Sequence, residues 1–503
     1  MKKLFSSFAS KEKSDQVFKI AFAFLIFLGF LFRFRHYLAG RSLWLDEAML
    51  ALDVLHLSFG ELTQQPLPYQ QGAPIGFLFF TKAITLLLGD SEYAFRLYSF
   101  LASSASLFLM AFLAKRYLNK VGALFSLALF AINLNLIYYS AETKQYMGDV
   151  AATLLLLFLL DRELRKDFSR RRFFTLSFVS ITILWFSHAS LSVVASVGLI
   201  LSLNYAFQKN KEAFFFSLGN LFLSGISALS LYYFHLRPLS ASNFLRSFWE
   251  EAFVPIPPSL QWFELFWKGI LRNPLALNAS LLFFILFLVG GVFLSQRKWR
   301  FSLALFLTLF FAFVAGVLQK YPLAERMLLF STPIFFLLFG AGLDAFSSLI
   351  KPKKISLSIV FLLAAYLLYA PFSESFAKFK EPLYREHIRP SMAYLKENLR
   401  EDDLIYVYYY AEPAFLFYLP KYHLEGVNYI VGFNHQKNPA LYLEDIENLH
   451  LEGRVWFLFS HIQEVSSINE RDFIVESLNQ IAKEDREYRI PDTSVSLYLY
   501  NFP

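Results

Sequence analysis

The sequence predicts a polytopic α-helical membrane protein of about eleven transmembrane helices carrying a small C-terminal α/β soluble domain. Three observations predict it. The 503 residues are 56% hydrophobic and 17% charged, with mean hydropathy +0.43, where ordinary soluble domains carry about 25% charged residues. Long apolar runs recur along residues 1–372. From Ser373 onward the chain turns charged and Tyr-rich, with short alternating runs such as 404–409 and 455–459 separated by polar helical stretches such as 389–399. Residues 1–372 are therefore read as the membrane domain and 373–503 as the soluble one.

The first run, about 17–34, follows Lys2, Lys3, Lys11 and Lys13 with no small-residue cleavage site, so it reads as an uncleaved helix. Further runs lie at roughly 94–114, 121–139, 147–161, 173–187, 189–207, 213–235, 275–295, 301–319, 326–346 and 355–372. The stretch 75–88 is too short to span and carries Lys82 near its centre, which favours an interfacial or re-entrant helix. Phe and Tyr, at 61 and 27 residues, suit lipid-facing surface and interfacial belts. The net charge of +7 comes from Lys and Arg in short loops and is no signature of nucleic acid. With no cysteine, disulfides, zinc–thiolate sites and cysteine nucleophiles are excluded.

The loops assign the sides. If 75–88 does not cross, Lys115/Arg116/Lys120, Arg162–Arg172, Lys209/Lys211, Arg297/Lys298/Arg300 and Lys351/Lys353/Lys354 share one side with the N-terminus. The positive-inside rule makes that side cytoplasmic. Residues 35–93 then form a long external loop with interfacial helices, 236–274 a second, and the tail is extracytoplasmic. A cell inner membrane is the expected location.

This topology collects rare ionisable residues at external helix ends: Asp46 and Glu47 after the first span, Arg96, the group Glu142, Lys144, Tyr146 and Asp149, then His188, and Lys320 with Glu325 and Arg326. Ionisable groups at this depth are functional candidates, and all could share one cavity on one face. The mixture suits a lipid-linked sugar phosphate. Cations at helix ends would hold the phosphate and the charge that develops as it leaves. A carboxylate would serve as base for a hydroxyl or amine acceptor. One base with cationic anchors implies direct displacement with inversion.

In order, the chain presents Trp44-Leu45-Asp46-Glu47-Ala48, then Pro74 and a short apolar helix ending in 88–96 with Arg96, then Tyr139-Ser140-Ala141-Glu142-Thr143-Lys144-Gln145-Tyr146, a late Glu325-Arg326-Met327 and a soluble tail. This order resembles the GT-C glycosyltransferases that use polyprenyl-phosphate sugars: protein O-mannosyltransferases, lipid A aminoarabinose transferases and the galacturonosyl transferase-like group. The resemblance is strongest over 40–150. It implies Asp46 as the catalytic carboxylate with Glu47 in support, and Arg96, Glu142, Lys144, Tyr146, His188, Lys320 and Arg326 as substrate-binding residues. Many relatives carry Arg where this chain has Lys144, which keeps the charge but loses bidentate phosphate geometry. No cofactor is firmly implied; a divalent metal, Mg or Mn, would be held by Asp46 and Glu142.

The expected partners are a polyprenyl-phosphate-linked sugar donor, the lipid bilayer, and a glycan, lipid or protein acceptor, with no nucleic acid. The expected activity is hexosyl or pentosyl transfer on the extracytoplasmic face. Each residue also has a plainer role to weigh: Asp46-Glu47 as a helix cap, Arg96 as partner of Glu92, Glu142 and Lys144 as a solvated pair, Arg326 as a snorkelling side chain. A flippase for a lipid-linked glycan is the rival function. It would carry charges at mid-span and repeated halves, neither of which is visible.

Overall fold

A computed structural model of the chain describes residues 2–349, 352–436, 438, 441–465 and 468–503. Lys351 of the last basic cluster lies outside them. Contacts divide the chain into two units. The first comprises residues 1–39, 59–89 and 93–382; the second comprises 40–58, 90–92 and 383–503. The loop expected over 35–93 is thus shared between them.

The first unit is helical. In chain order its helices are α1 (Lys2–Leu38), α3 (Ile75–Leu88), α4 (Glu92–Tyr117), α5 (Lys120–Ile132), α6 (Leu134–Tyr139), α7 (Tyr146–Arg165), α8 (Arg170–Ile183), α9 (Ser190–Phe207) and α10 (Lys211–Leu231). They are followed by α11 (Arg237–Ala241), α12 (Asn243–Phe248), α13 (Leu260–Arg272), α14 (Ser280–Val317), α15 (Thr332–Leu349) and α16 (Lys353–Lys380). Helix α2 (Leu45–His56) lies in the second unit.

Among the described residues, seven helices are long and apolar enough to cross a membrane. This is fewer than the eleven runs of the sequence, for physical reasons. Helix α14 merges two runs across a kink at Lys298. Helices α5 and α8 are only 13 and 14 residues long. Helix α7 carries Asp149, Asp161, Arg162, Glu163 and Arg165. All the expected runs are nevertheless helical.

Small residues let these helices approach closely, the usual device where lipid removes the hydrophobic drive between them. A Cβ on Gly290 would strike the Leu338 carbonyl, and one on Gly342 the Leu286 carbonyl, so α14 and α15 pack backbone to backbone. Gly122 and Gly340 do the same for α5 and α15. Asp344 accepts from the N–H groups of Asn119 (2.6 Å) and Gly122 (2.8 Å), a carboxylate cap supplied to α5 by α15.

Arg33 is fully buried in α1. Its guanidinium donates to Ser103 Oγ (2.7 Å) and to the carbonyls of Gly29 (2.8 Å), Phe130 (3.0 Å) and Ala131 (3.1 Å). Backbone dipoles thus take the place of a counter-ion and tie α1 to α4 and to the end of α5.

The second unit is the small α/β body expected from the tail. Its strands are β1 (Leu404–Val407), β2 (Asn428–Val431), β3 (Gly453–Phe459), the short pair β4 (Glu464–Val465) and β5 (Ile468–Asn469), β6 (Lys483–Arg489) and β7 (Ser496–Phe502). Five form one sheet in the order β2-β1-β3-β7-β6. β1 runs parallel to both β2 and β3, and β7 runs antiparallel to β3 and β6. Helix α17 (Arg389–Asn398) precedes β1, and α18 (Glu412–Tyr418), α19 (Leu441–Asn448) and α20 (Glu470–Ile481) connect the strands. Strands β1 and β3 are the apolar core, with Ile405, Val407, Val455, Trp456, Phe457, Leu458 and Phe459 all buried, as expected for a sheet covered on both faces.

Candidate active site

The residues singled out in the sequence fall into both units. Asp46 and Glu47 belong to the second; Arg96, Glu142, Lys144, Tyr146, His188, Lys320 and Arg326 belong to the first.

In the first unit the turn joining α6 to α7 is held by Ser99 of α4. Its hydroxyl lies 2.7 Å from the Glu142 carbonyl and 2.8 Å from that of Lys144. The Lys144 N–H donates back to the Glu142 carbonyl (2.8 Å), which makes the turn tight. Glu142 is fully buried and Lys144 nearly so, so neither is a solvated surface pair. Lys144 Nζ donates to Gln71 Oε1 at 2.6 Å. At the start of α7, Gly148 leaves the space that the Tyr98 hydroxyl occupies.

Arg326 reaches the same turn from elsewhere. It follows Glu325, whose φ of +45° lies in the left-handed region, a conformation that costs energy in a residue with a Cβ. The Arg326 guanidinium stands 6.0 Å from the Tyr146 ring and 5.7 Å from the Trp249 ring. Two aromatic faces favour a cation there. Tyr321 donates to the Met327 carbonyl (2.7 Å). Burial, then the proximity of Asp149 and Tyr146, keeps its phenol protonated well above the ordinary range.

The other residues of the first unit divide. Arg96 is buried within α4. His188 sits in the turn between α8 and α9, its ring 5.2 Å from that of His235. His235 Nε2 lies 2.9 Å from the Ala73 carbonyl, and Gly76 N–H donates to the Trp185 carbonyl (2.9 Å). The segment after Pro74, the 185–188 turn and His235 therefore adjoin. Lys320 is exposed. His235 was invisible in the sequence because it falls inside an apolar run.

In the second unit Asp46 and Glu47 occupy the first turn of α2. They do not cap it. The capping position is Trp44, which makes no side-chain cap bond; its carbonyl accepts from the Glu47 and Ala48 N–H groups at 2.9 Å. Glu47 is buried and Asp46 half-buried.

The cap comes from far along the chain. Glu386 Oε2 accepts from the Leu45 N–H at 3.0 Å. Ser42 Oγ pairs with His387 Nδ1 (2.8 Å), Leu43 N–H donates to the Tyr418 hydroxyl (2.9 Å), and the Arg389 guanidinium donates to the Gly40 carbonyl (2.9 Å). Arg385 lies over the Trp44 ring at 4.4 Å. None of these partners carried a local sequence signal, since each acts across more than 300 residues.

Among the described residues no group of three or more His, Asp or Glu side chains is arranged to hold a metal ion.

Residues 72–232 match the family model described as dolichyl-phosphate-mannose-protein mannosyltransferase. This is under half of the chain; it contains Arg96, Glu142, Lys144, Tyr146 and His188 but not Asp46 or Arg326. No curated protein matches the chain in sequence. Two solved structures are similar over nearly the whole chain: ArnT from Cupriavidus metallidurans in the apo state (12% identity, TM-score 0.52, 97% of this chain and 98% of that one) and the same protein bound to undecaprenyl phosphate (11%, 0.52, 97% and 98%). At such identity the likeness is one of fold. The chain is a polytopic helical membrane protein with the fold of those structures and a small C-terminal α/β unit.

Proposed function

We propose that this protein is a membrane glycosyltransferase that moves one hexosyl or pentosyl unit from a polyprenyl-phosphate donor to an acceptor on the extracytoplasmic face. The observation that carries the reading is the buried turn built by α4, α6 and α7, which holds Lys144 and over whose Tyr146 ring Arg326 stands. Two cations in so apolar a protein suit a phosphate headgroup. The family match over that turn, and the undecaprenyl phosphate carried by a protein of the same fold, support the same donor class.

In this reading the acceptor hydroxyl or amine attacks the anomeric carbon while Asp46 takes its proton. The carbon–oxygen bond to phosphate breaks, and the polyprenyl phosphate leaves with the bonding electrons, its charge held by Lys144 and Arg326. The sugar carbon is inverted. Asp46 is the base because it is the less buried of the pair and stands in the first turn of α2; buried Glu47 supports that turn. Envelope glycolipid, polysaccharide and protein acceptors share the nucleophilic group this requires.

The test is transfer by purified, reconstituted protein from labelled polyprenyl-phosphate sugars. Asp46→Asn should fold normally and lose about a hundredfold or more of the transfer rate, the scale of a general base. Movement of intact donor across the bilayer, with no transfer or hydrolysis by either protein, would make it a flippase instead.

A further inference from the structure

Open α/β sheets usually take ligands beyond the carboxyl ends of their strands, where the strand order reverses. Here that place lies between β1 and β3, since β1 leads through α18 to β2 on one side and β3 stands on the other. The position is filled by the chain itself. Directly after β3, Ser460 Oγ donates to Glu386 Oε2 (3.3 Å) and His461 Nδ1 lies 2.5 Å from Glu386 Oε1. His461 has φ +55°, and a non-glycine residue in this region is strained unless its surroundings hold it there. Its ring stands 6.1 Å from that of Trp44 and 5.4 Å from that of Tyr410. Glu386, 4% exposed, thus has both oxygens engaged, one of them on the first N–H of the helix that carries Asp46. A carboxylate at that helix end is also favoured by the backbone dipoles.

We propose that Glu386 is a positioning residue for the transfer reaction, fixing Asp46 through the start of α2, with Ser460 and His461 orienting its carboxylate. The proposal rests on the reading of Asp46 as base. A base must be held to a fraction of an ångström, which a residue on a helix achieves only if that helix end is itself held. Trp44 cannot cap the helix, so Glu386 does. Its contact to Asp46 is indirect, so its loss should affect the chemical step and leave donor binding in place.

The experiment uses the full-length protein and a labelled polyprenyl-phosphate sugar, with Glu386→Gln, Asp46→Asn and the double variant. Glu386→Gln should lower kcat about tenfold or more with the donor KM changed less than about twofold. In the Asp46→Asn background it should add less than about twofold, because the residue it positions is already gone. Limited proteolysis should show cleavage within 40–58 while 404–502 stays protected. Unchanged kcat in Glu386→Gln, an equal loss in both backgrounds, or loss of protection across the sheet would each overturn the proposal. Glu386→Asp, which keeps the charge on a shorter arm, guards against a folding artefact: recovery of protection without recovery of kcat supports positioning, and full activity refutes it. If Asp46→Asn alone transfers sugar normally, the reading of the base fails and the proposal falls with it. If Asp46→Asn is inactive and Glu386→Gln is normal, only the proposal fails.

Discussion

The Tyr418 hydroxyl donates to Glu92 Oε1 at 2.8 Å across 326 residues of sequence, and the hydroxyl oxygen itself accepts from the Leu43 N–H at 2.9 Å. One phenol thereby links α18 with two short segments that the sequence places beside the first membrane helices. Leu43 and Glu92 are both buried, so each bond lost would leave a desolvated group.

Tyr418→Phe keeps the ring and removes the hydroxyl that makes this link. The expected loss is about 1–3 kcal/mol of stability in the second unit, the cost of stranding a buried polar group. Thermal unfolding together with protease sensitivity of 40–58 would measure it; an unchanged protein would show that the link is dispensable.

Lys144→Ala and Arg326→Ala should each raise the donor KM about 10- to 100-fold, as expected from roughly 1.5–3 kcal/mol for a hydrogen bond to a charged group. Lys144→Arg should retain much of the affinity, since the charge is kept. Steady-state kinetics at several donor concentrations separates these outcomes from a loss of turnover.

Asp403 provides a pH signature. Burial acts to raise its pKa, but hydrogen bonds from Arg454 (2.8 Å), Trp456 (2.8 Å) and the Arg400 N–H (3.1 Å) outweigh it and hold the carboxyl below its ordinary range. A carboxylate depressed on folding adds stability above its unfolded pKa of about 3.9 and loses it as pH falls through the folded value. Asp403→Asn should therefore lower the Tm of the full-length protein at pH 7, and the difference should shrink as pH falls below about 3.9. A constant difference over that range would contradict the assignment.

Arg33→Met should leave a membrane-inserted but less stable protein, by an amount on the order of 2 kcal/mol, because the bridge from α1 to α4 and α5 is lost. A thermal shift in detergent reads this directly, and wild-type stability would show that the guanidinium contributes little.

Topology can be checked without removing native thiols, since the chain has no cysteine. The expected orientation has Gly60→Cys and Gly426→Cys labelled by an impermeant maleimide from outside, and Gln296→Cys only after permeabilisation. Ser42, although in the loop expected to be external, is a poor tag position because it is buried against His387. Labelling of Gly60→Cys and Gly426→Cys from opposite sides would break the assignment.

Composition and periodicity were enough for the long apolar helices of the first unit, because lipid demands uninterrupted apolar runs, and short alternating runs marked strands β1 and β3; helices α11, α12 and α13 fall in a stretch that read only as a loop. The prominence of Asp46-Glu47, Glu142, Lys144 and Arg326 was equally legible, since charge is rare in such a chain. Tertiary structure alone decided that α2 shares a unit with the tail, that Glu386 and not a neighbour caps it, and that Arg326 comes to lie over Tyr146. The physical reason is range. Periodicity and capping rules act over a few residues, whereas these bonds close across hundreds, where sequence separation carries no record of which donor meets which acceptor.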